Sequence, residues 1–261
     1  MDTSQLDRAV WQELRTLSKD NAAGVAEHLV AAGLAMGEGD LDRALAHAKT
    51  ASRRAGRVAS VREALGVVHY RRGEWSNALA EFRTARRLSG SNHLLPQMAD
   101  VERGLGRPER ALELAAGPEA ESLTRADRVE LAIVVSGARR DLGQHEAGAA
   151  TLRDLARSTR PSQPWAARLF YAYAEALLGL GQDDEAREWF DRALAADAAD
   201  ETDAAERLAE LDGVAFTDLE EEADLEDQAG LERQADLEGQ ADPEVQGEVE
   251  VEVVDGAEDP R

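Results

Sequence analysis

The sequence predicts an all-α protein, an α-α superhelix in which about five helical hairpins form a right-handed solenoid, followed by an acidic C-terminal tail. Three observations predict this fold class. A glycine followed five residues later by a small residue recurs five times, at intervals of 33 to 38 residues, which is about the length of one helical hairpin. The segments between these glycines have the apolar spacing of helices. The excess negative charge is concentrated at the C-terminal end of the chain.

Composition narrows the class of protein further. The 261 residues carry a formal net charge of −23 and include no cysteine. The lack of cysteine excludes a disulfide scaffold, a cysteine nucleophile and a thiolate zinc site, and it is typical of a reducing compartment. The N-terminus has no basic segment before an apolar stretch, and no uninterrupted apolar run approaches the length of a membrane span. We therefore expect a cytoplasmic protein with no membrane segment.

The first element, residues 1–24, is predicted to be an N-terminal capping helix. Four apolar side chains recur there at helical spacing: Leu6, Val10, Leu14 and Leu17. They form one face that can cover the first hairpin, since the terminal repeats of a solenoid need a polar outer side. Thr3 or Ser4 is expected to be the N-cap, because a hydroxyl oxygen accepts from the free amides of a first helical turn.

The central region, residues 25–199, is predicted to hold the hairpins. The expected turn glycines are Gly39, Gly73, Gly106, Gly143 and Gly181. Glycine adopts the left-handed conformation at a helix end at little cost, so each should join two helices through a tight turn. The predicted repeats are 25–58, 59–91, 92–128, 129–166 and 167–199.

The residues after the turns indicate how neighbouring hairpins interlock. Two small residues and one aromatic residue share a helix face in the second and fifth repeats: Ala78, Phe82 and Ala85, and Ala186, Phe190 and Ala193. Small residues let two helices approach closely while the ring fills the gap to the next hairpin.

This unit resembles the tetratricopeptide repeat. The best matches are Leu65-Gly66…Tyr70…Gly73…Ala78…Phe82…Ala85 and Tyr173-Ala174…Gly181…Ala186…Phe190…Ala193. The other repeats depart from the pattern, with Ala48, Ala115 and Leu152 in place of Phe and Gly148 in place of Ala. The resemblance extends from about Val25 to Ala198, and the whole chain looks like bacterial cytosolic tetratricopeptide proteins without an assigned role. It implies a protein-binding scaffold whose concave groove is lined mainly by the first helix of each hairpin.

The resemblance also implies which side chains line the groove. Alignment to the turn glycines places nine candidate partner-binding residues there: Glu63, Tyr70, Arg71, His93, Arg103, Arg140, Arg168, Tyr171 and Glu175. The first repeat offers only Leu29, Gly33 and Met36. The positions where some relatives use Lys and Asn to hold a terminal carboxylate carry Leu29, Gly33 and Glu63, so that clamp is not supported. For Tyr70 and Tyr171 two interpretations stay open: a ring over a helix joint with its hydroxyl in water, or an anchor for a peptide.

A second candidate surface is the arginine-rich segment 53–87, with nine arginines against three acidic residues between Ala51 and Gly90. It has three interpretations, namely solvated helix faces, a site for an acidic protein segment such as the chain's own tail, or a nucleic-acid surface. Nucleic acid is not the expected partner, because the aromatic residues of a single-strand binder are missing. The alternatives to a scaffold are an RNA-associated regulatory protein and a regulatory subunit permanently bound to an enzyme. The sequence does not set the oligomeric state.

Catalytic and metal motifs are missing from the sequence. The five histidines are scattered, with no pair spaced four residues apart, and neither a nucleophile elbow nor a phosphate-loop lysine is present. We therefore predict no enzyme activity, no cofactor and no metal, and we expect every histidine to be a surface or groove residue.

The C-terminal part is predicted to be a capping helix, residues 200–213, and a disordered acidic tail, residues 214–261. Residues 200–261 hold 24 acidic and 3 basic side chains. Like charges repel there, and the tail has too little apolar surface to offset the entropy of ordering.

Overall fold

A computed structural model describes residues 3–213, which form twelve α-helices, two short 3₁₀ segments (Thr3–Gln5 and Pro118–Ser122) and no strand. The helices are α1 Arg8–Leu14, α2 Lys19–Gly37, α3 Leu41–Ala55, α4 Ala59–Arg71, α5 Trp75–Ser89, α6 Leu95–Gly104, α7 Pro108–Ala115, α8 Arg125–Asp141, α9 His145–Ser158, α10 Ala166–Leu178, α11 Asp183–Ala196 and α12 Ala204–Leu211. The predicted all-α solenoid is confirmed. The predicted disordered tail, residues 214–261, lies outside the described residues.

Five hairpins follow one another, and each turns at a predicted glycine. The pairs are α2/α3, α4/α5, α6/α7, α8/α9 and α10/α11, joined at Gly39, Gly73, Gly106, Gly143 and Gly181. All five glycines have a φ between 69° and 76°, a region where a Cβ is unfavourable. The recurring glycines of the sequence are therefore the left-handed residues of the five interhelical turns.

The helices pack in chain order, each against the next, and the first helices of successive hairpins also contact one another, as in α2 with α4 and α8 with α10. These first helices form the inner layer of the stack, and the core lies between the two layers. Phe82 and Phe190 are fully buried, as the interlocking pattern predicts.

The N-cap of the first helix, α1, is not one of the two residues that the sequence predicts. The N-cap of α1 is Asp7, whose carboxylate accepts from the amide of Ala9 at 2.6 Å, and neither Thr3 nor Ser4 has that role. Thr3 instead begins the 3₁₀ turn that precedes Asp7, and its carbonyl accepts from the indole of Trp11. A carboxylate directly before the helix satisfies the free amide that the hydroxyls were expected to satisfy.

The expectation that every histidine lies on the surface or in the groove is wrong for His69. Its ring is buried, and its Nδ1 lies 2.6 Å from the Glu74 carboxylate. Hydrogen bonds from Arg72, Asn77 and His69, with the Arg72 bond the strongest, lower the pKa of Glu74 to about 2. Two other histidines, far apart in sequence, meet across the first hairpin: His28 and His47 have Nδ1 atoms 2.9 Å apart.

In residues 3–213 no helix combines the length and the apolar character that crossing a membrane requires.

Candidate binding groove

The inner layer of the last three hairpins borders an open cavity of about 610 Å³. Five of the nine candidate residues line it: Arg103, Arg140, Arg168, Tyr171 and Glu175. They come from three successive first helices, α6, α8 and α10, so the repeat brings equivalent positions of neighbouring hairpins into one hollow. The loop between α11 and α12 closes one side with Glu201, Thr202 and Asp203.

The charged groove residues form a ladder of contacts in which each step joins one repeat to the next. The steps are Glu63 to His93 at 3.1 Å, Tyr70 to Asp100, Arg103 to Asp141 at 2.8 Å, Glu130 to Arg168 at 2.6 Å, and Glu175 to Arg207 of α12 at 2.8 Å. The groove is therefore polar and internally paired before any partner arrives. A ligand must exchange with these contacts.

Arg103 is the most strongly held of the cavity arginines. Its guanidinium lies between Asp100, at 3.0 Å, and Asp141, at 2.8 Å. A Cβ at Gly137 would lie 2.5 Å from its Cζ, so the guanidinium of Arg103 packs directly against this glycine of α8. Arg103 also lines a neighbouring hollow of about 580 Å³ that contains Trp75, and it separates the two spaces.

Arg140 and Arg168 differ in how closely carboxylates hold them. Arg168 contacts Glu130 at 2.6 Å and Glu201 at 3.5 Å. Arg140 reaches only Glu175, at 3.5 Å, and that carboxylate is already bound by Arg207 at 2.8 Å. Because two guanidinium groups share one carboxylate, Arg140 is the cavity cation with the weakest ionic partner among residues 3–213.

Both groove tyrosines have a carboxylate close to the hydroxyl. Tyr70 donates to Asp100 and meets Trp75 edge to face at 5.3 Å, and Tyr171 lies beside Asp203 and meets Phe190 at 5.4 Å. Burial, followed by these carboxylate contacts, raises the pKa of each phenol. The hydroxyls are thus not simply in water, and the half-buried ring of Tyr171 lines the cavity.

The remaining candidates lie outside the cavity. Glu63 and His93 form the first step of the ladder, between α4 and the residues before α6. The hydrogen bond that the Glu63 carboxylate accepts from the ring, opposed in part by burial, raises the pKa of His93. Arg71 is exposed at the end of α4 and makes no ion pair within residues 3–213. The nine residues therefore divide into a cavity group of five and a second group of four, on α4 and directly before α6.

Sequence reasoning missed the part of the site that does not repeat. Glu201, Thr202 and Asp203 follow the last hairpin, so alignment to turn glycines cannot reach them. The carboxylate of Asp197 accepts from the amides of Glu201 and Thr202 at 2.8 Å, which fixes the shape of this loop. Its contact with the groove is the ion pair of Glu201 with Arg168 at 3.5 Å. The acidic first turn of the capping segment was the available signal, but its position over the cavity depends on tertiary packing.

The arginine-rich segment is partly neutralised. Four of its nine arginines form ion pairs with carboxylates: Arg62 with Glu81, Arg72 with Asp42 and Glu74, Arg83 with Glu102, and Arg86 with Glu119. The other five make no ion pair within residues 3–213: Arg53, Arg54, Arg57, Arg71 and Arg87. The segment thus has a smaller free positive charge than its composition indicates.

Two segments of the chain, residues 29–93 and 138–201, match the family model of the tetratricopeptide repeat. A search of the curated proteins found no match. Among solved structures, the chain is similar to TTC0263, a thermophilic tetratricopeptide protein of Thermus thermophilus, with 21% identity and a TM-score of 0.58; the match covers 72% of this chain and 98% of that one.

Two further solved structures have a similar fold. PilW, a type IV pilus biogenesis factor, is 17% identical with a TM-score of 0.55, and the match covers 77% of this chain and 91% of PilW. The Rap conjugation gene regulator of plasmid pLS20, solved in complex with the Phr* peptide, is 16% identical with a TM-score of 0.52, and the match covers 69% of this chain and 56% of that regulator. At these identities the likeness establishes the fold.

Proposed function

Because the chain carries tetratricopeptide repeats, we propose that it is a non-catalytic scaffold or adaptor that binds a protein or peptide in its concave groove. The observation that carries this proposal is the cavity of about 610 Å³, where equivalent positions of three hairpins and the α11–α12 loop converge. Its lining combines three guanidinium groups, three carboxylates, a tyrosine ring and small apolar surfaces, which suits an extended polypeptide. The peptide complex of the similarly folded Rap regulator is consistent with such a ligand.

The ladder of ion pairs is compatible with binding at this site. Solvent-exposed ion pairs each contribute about 0–1 kcal/mol, so a ligand carboxylate can replace one at little net cost. Arg103 has two close carboxylates and stays in place, whereas Arg140 has one distant, shared partner. Exchange should therefore begin at Arg140, next to the ring of Tyr171.

The proposal includes a cytoplasmic location, which the absence of cysteine supports, and modulation of the groove by the acidic tail, residues 214–261. The partly neutralised arginine-rich segment favours a protein partner over nucleic acid. Five of its arginines make no ion pair within residues 3–213, so the segment can add long-range attraction for an acidic partner.

Affinity purification of the full chain followed by mass spectrometry tests this function. The test variant combines Arg140→Glu and Arg168→Glu, and the matched control combines Arg110→Glu and Arg157→Glu on the exposed surfaces of α7 and α9. We expect the control to recover the same partners as the wild type and the groove variant to lose them.

Recovery of an unchanged set of partners by the groove variant would contradict the proposal. Loss of those partners after nuclease treatment would indicate the RNA-associated alternative. An enzyme that stays bound in stoichiometric amount despite the groove substitutions would indicate a permanent regulatory subunit, since its contacts would lie elsewhere.

A further inference from the structure

A second hollow, of about 580 Å³, adjoins the groove cavity next to the turn between α6 and α7. We call it the tryptophan hollow, and its aromatic and charged lining consists of Trp75, Asp100, Arg103, Glu109 and Asp141. Arg103 lines both spaces, so one extended peptide in the groove can reach both. The proposed function depends on the groove cavity and gives this second hollow no role.

The tryptophan hollow differs from the groove cavity in charge. Three carboxylates line it against a single guanidinium, whereas the groove cavity has three of each. Arg103 binds two of these carboxylates, Asp100 at 3.0 Å and Asp141 at 2.8 Å. Glu109 is exposed and makes no ion pair within residues 3–213. Since carboxylate oxygens accept several hydrogen bonds each, the hollow has an excess of acceptors and of negative charge, which favours a cation.

Two arginines near the turn do not supply this cation. Arg107 follows Gly106 directly, but its guanidinium contacts the buried Glu102 at 3.7 Å. Arg71 lies at the exposed end of α4 and does not line the hollow. The excess of acidic charge is therefore left for a ligand.

The indole ring of Trp75 is the apolar wall of the tryptophan hollow. The ring is half-buried and packs on Gly104 of α6, where an added Cβ would lie 2.7 Å from its Cδ2. It also meets Tyr70 edge to face at 5.3 Å. These two contacts hold the ring in one place, so the aromatic surface that lines the hollow is set before a ligand binds.

The ring of Trp75 has no cation over it within residues 3–213. Trp165 and Trp189, by contrast, have arginines over their rings, with Arg125 and Arg192 at 5.9 Å and 4.3 Å from the respective ring centroids. A tryptophan ring attracts an ammonium or guanidinium group, and the methylene stem of a lysine or arginine packs on apolar surface while its charged end stays in a polar environment. The wall and the acidic rim of the hollow thus match the two parts of a basic side chain.

On the basis of the proposed function, we propose that the tryptophan hollow is a specificity pocket for a lysine or arginine side chain of the partner peptide. The methylene stem covers Trp75, and the charged end binds Glu109 and the exposed side of Asp141. Arg103 stays between its two carboxylates and orients Asp141. The adjoining groove cavity takes the neighbouring segment of the same peptide, so the hollow selects partners that carry a base at this position.

The test selects peptides from a phage-displayed random library on the immobilised full chain, at about 0.15 M salt. We expect the recovered peptides to share a lysine or arginine at one position. The test variant is Glu109→Arg, and the matched control is Glu146→Arg, since both replace an acidic residue in the first turn of a second helix. Both variants have the same net charge, so non-specific attraction of basic peptides to this acidic chain changes equally. The preference for a base should disappear in the test variant and persist in the control.

Fluorescence anisotropy of one selected peptide, labelled with fluorescein, then measures the pocket directly. Replacing its shared base by norleucine keeps most of the stem and removes the charge, and it should weaken binding to the wild type about tenfold. The Glu109→Arg protein should bind the original peptide about tenfold more weakly as well. A peptide with glutamate in place of the base should regain affinity for this variant.

A substitution of the ring separates its role from that of the carboxylate. Trp75→Leu keeps an apolar side chain but removes the π system, so it should weaken binding of the basic peptide and leave binding of the norleucine peptide nearly unchanged. Circular dichroism verifies that each variant is folded, and Glu109→Arg, on an exposed helix surface, tests the pocket even if Trp75→Leu unfolds the chain.

Recovered peptides without a shared base would overturn the specificity pocket. A preference for basic residues that persists in Glu109→Arg to the same degree as in Glu146→Arg would overturn it too. In either case the proposed function would stand if the selected peptides lost binding to the variant with Arg140→Glu and Arg168→Glu. A library that yields no binding peptide on the wild type would remove both proposals.

Discussion

The first and the fifth hairpins fill the same position in the fold with different side chains. In the first hairpin the interface consists of fully buried alanines, and Ala48 shares its cluster with Leu65 and Val68 of the next repeat. In the fifth, Trp189 and Phe190 fill the space between α10, α11 and α12. The same repeat position is thus filled by alanine in the first hairpin, beside Leu65 and Val68 of the next helix, and by a ring in the fifth hairpin, beside the short cap α12.

The first and fifth hairpins also differ in the side chains that they offer to a ligand in the groove. Alignment to the turn glycines assigns Leu29, Gly33 and Met36 to the groove in the first hairpin, although Leu29 is buried in the core. In the fifth hairpin it assigns Arg168, Tyr171 and Glu175, which line the cavity. Tyr171 rests edge to face on Phe190, so the aromatic core of the fifth hairpin supports the floor of the cavity. The same side chains that fill the C-terminal core therefore orient the candidate site.

Removing the phenylalanine ring of Phe190 from the fifth hairpin should cause the largest loss of stability. Phe190→Ala leaves a cavity under Tyr171, and a fully buried phenylalanine typically costs about 3–5 kcal/mol when truncated to alanine. The free energy of unfolding, measured by urea denaturation, checks this. The control is Leu194→Ala on the same helix, whose side chain is 46% exposed and should change stability by within about 0.5 kcal/mol. Equal losses of unfolding free energy in both variants would show that Phe190 contributes no more to the core than an exposed leucine does.

Adding a phenylalanine ring to the first hairpin should also destabilise the protein, but by less. Ala48→Phe restores the residue typical of the repeat, but Leu65 and Val68 already occupy the space, and overpacking costs about 1–3 kcal/mol. Ala46→Phe on the exposed face of α3 is the control and should be nearly neutral in urea denaturation. A stabilised Ala48→Phe protein would mean that the first hairpin has room for a ring, so that alanine does not suffice there.

The smallest expected effect is the pH dependence of the free energy of unfolding. The contributions of His28, which lies beside His47, and of His93, which lies beside Glu63, should change with pH in opposite directions. Burial, helped by His47 and Arg54 and opposed by Glu27, lowers the pKa of His28. Its contribution to stability should therefore be lost as pH falls below the unfolded value of 6.5. The pKa of His93 is raised by Glu63, so its contribution is present below pH 6.5 and should be lost as pH rises through the raised value.

Unfolding free energies of the wild type, His28→Asn and His93→Gln between about pH 5 and pH 8 separate these contributions. Subtracting each variant's curve from that of the wild type should give slopes of opposite sign. Slopes of the same sign would contradict the assignment of His28 to a desolvated pair and of His93 to an ion pair.

Much of the fold was predictable because the repeat constrains local backbone chemistry. The five turn glycines all adopt the left-handed conformation, and Phe82 and Phe190 are buried. Gly148, a departure from the repeat pattern, has a local cause that the sequence did not reveal. The hydroxyl of Ser136 donates to its carbonyl at 2.9 Å, and a Cβ there would lie 3.1 Å from both Ser136 O and Arg140 Cγ.

The candidate site was predictable only as a set of positions. Alignment to the glycines named Arg103, Arg140 and Arg168 without their partners, because an ion pair depends on side chains that approach from the next hairpin. The His28–His47 contact and the buried His69–Glu74 pair escaped the sequence for the same reason: each joins different helices or the two sides of a turn.

By itself the sequence determined the helical period, the turn glycines, the alternation of small and large core residues and the separation of an acidic tail, since each depends on backbone conformation, side-chain volume or charge carried by the residues themselves. Only the tertiary structure decided which groove charges neutralise one another, which cation is left weakly paired and how the α11–α12 loop closes the cavity. Electrostatic pairing depends on distances of a few ångströms between separate helices, and those distances exist only once the hairpins have stacked.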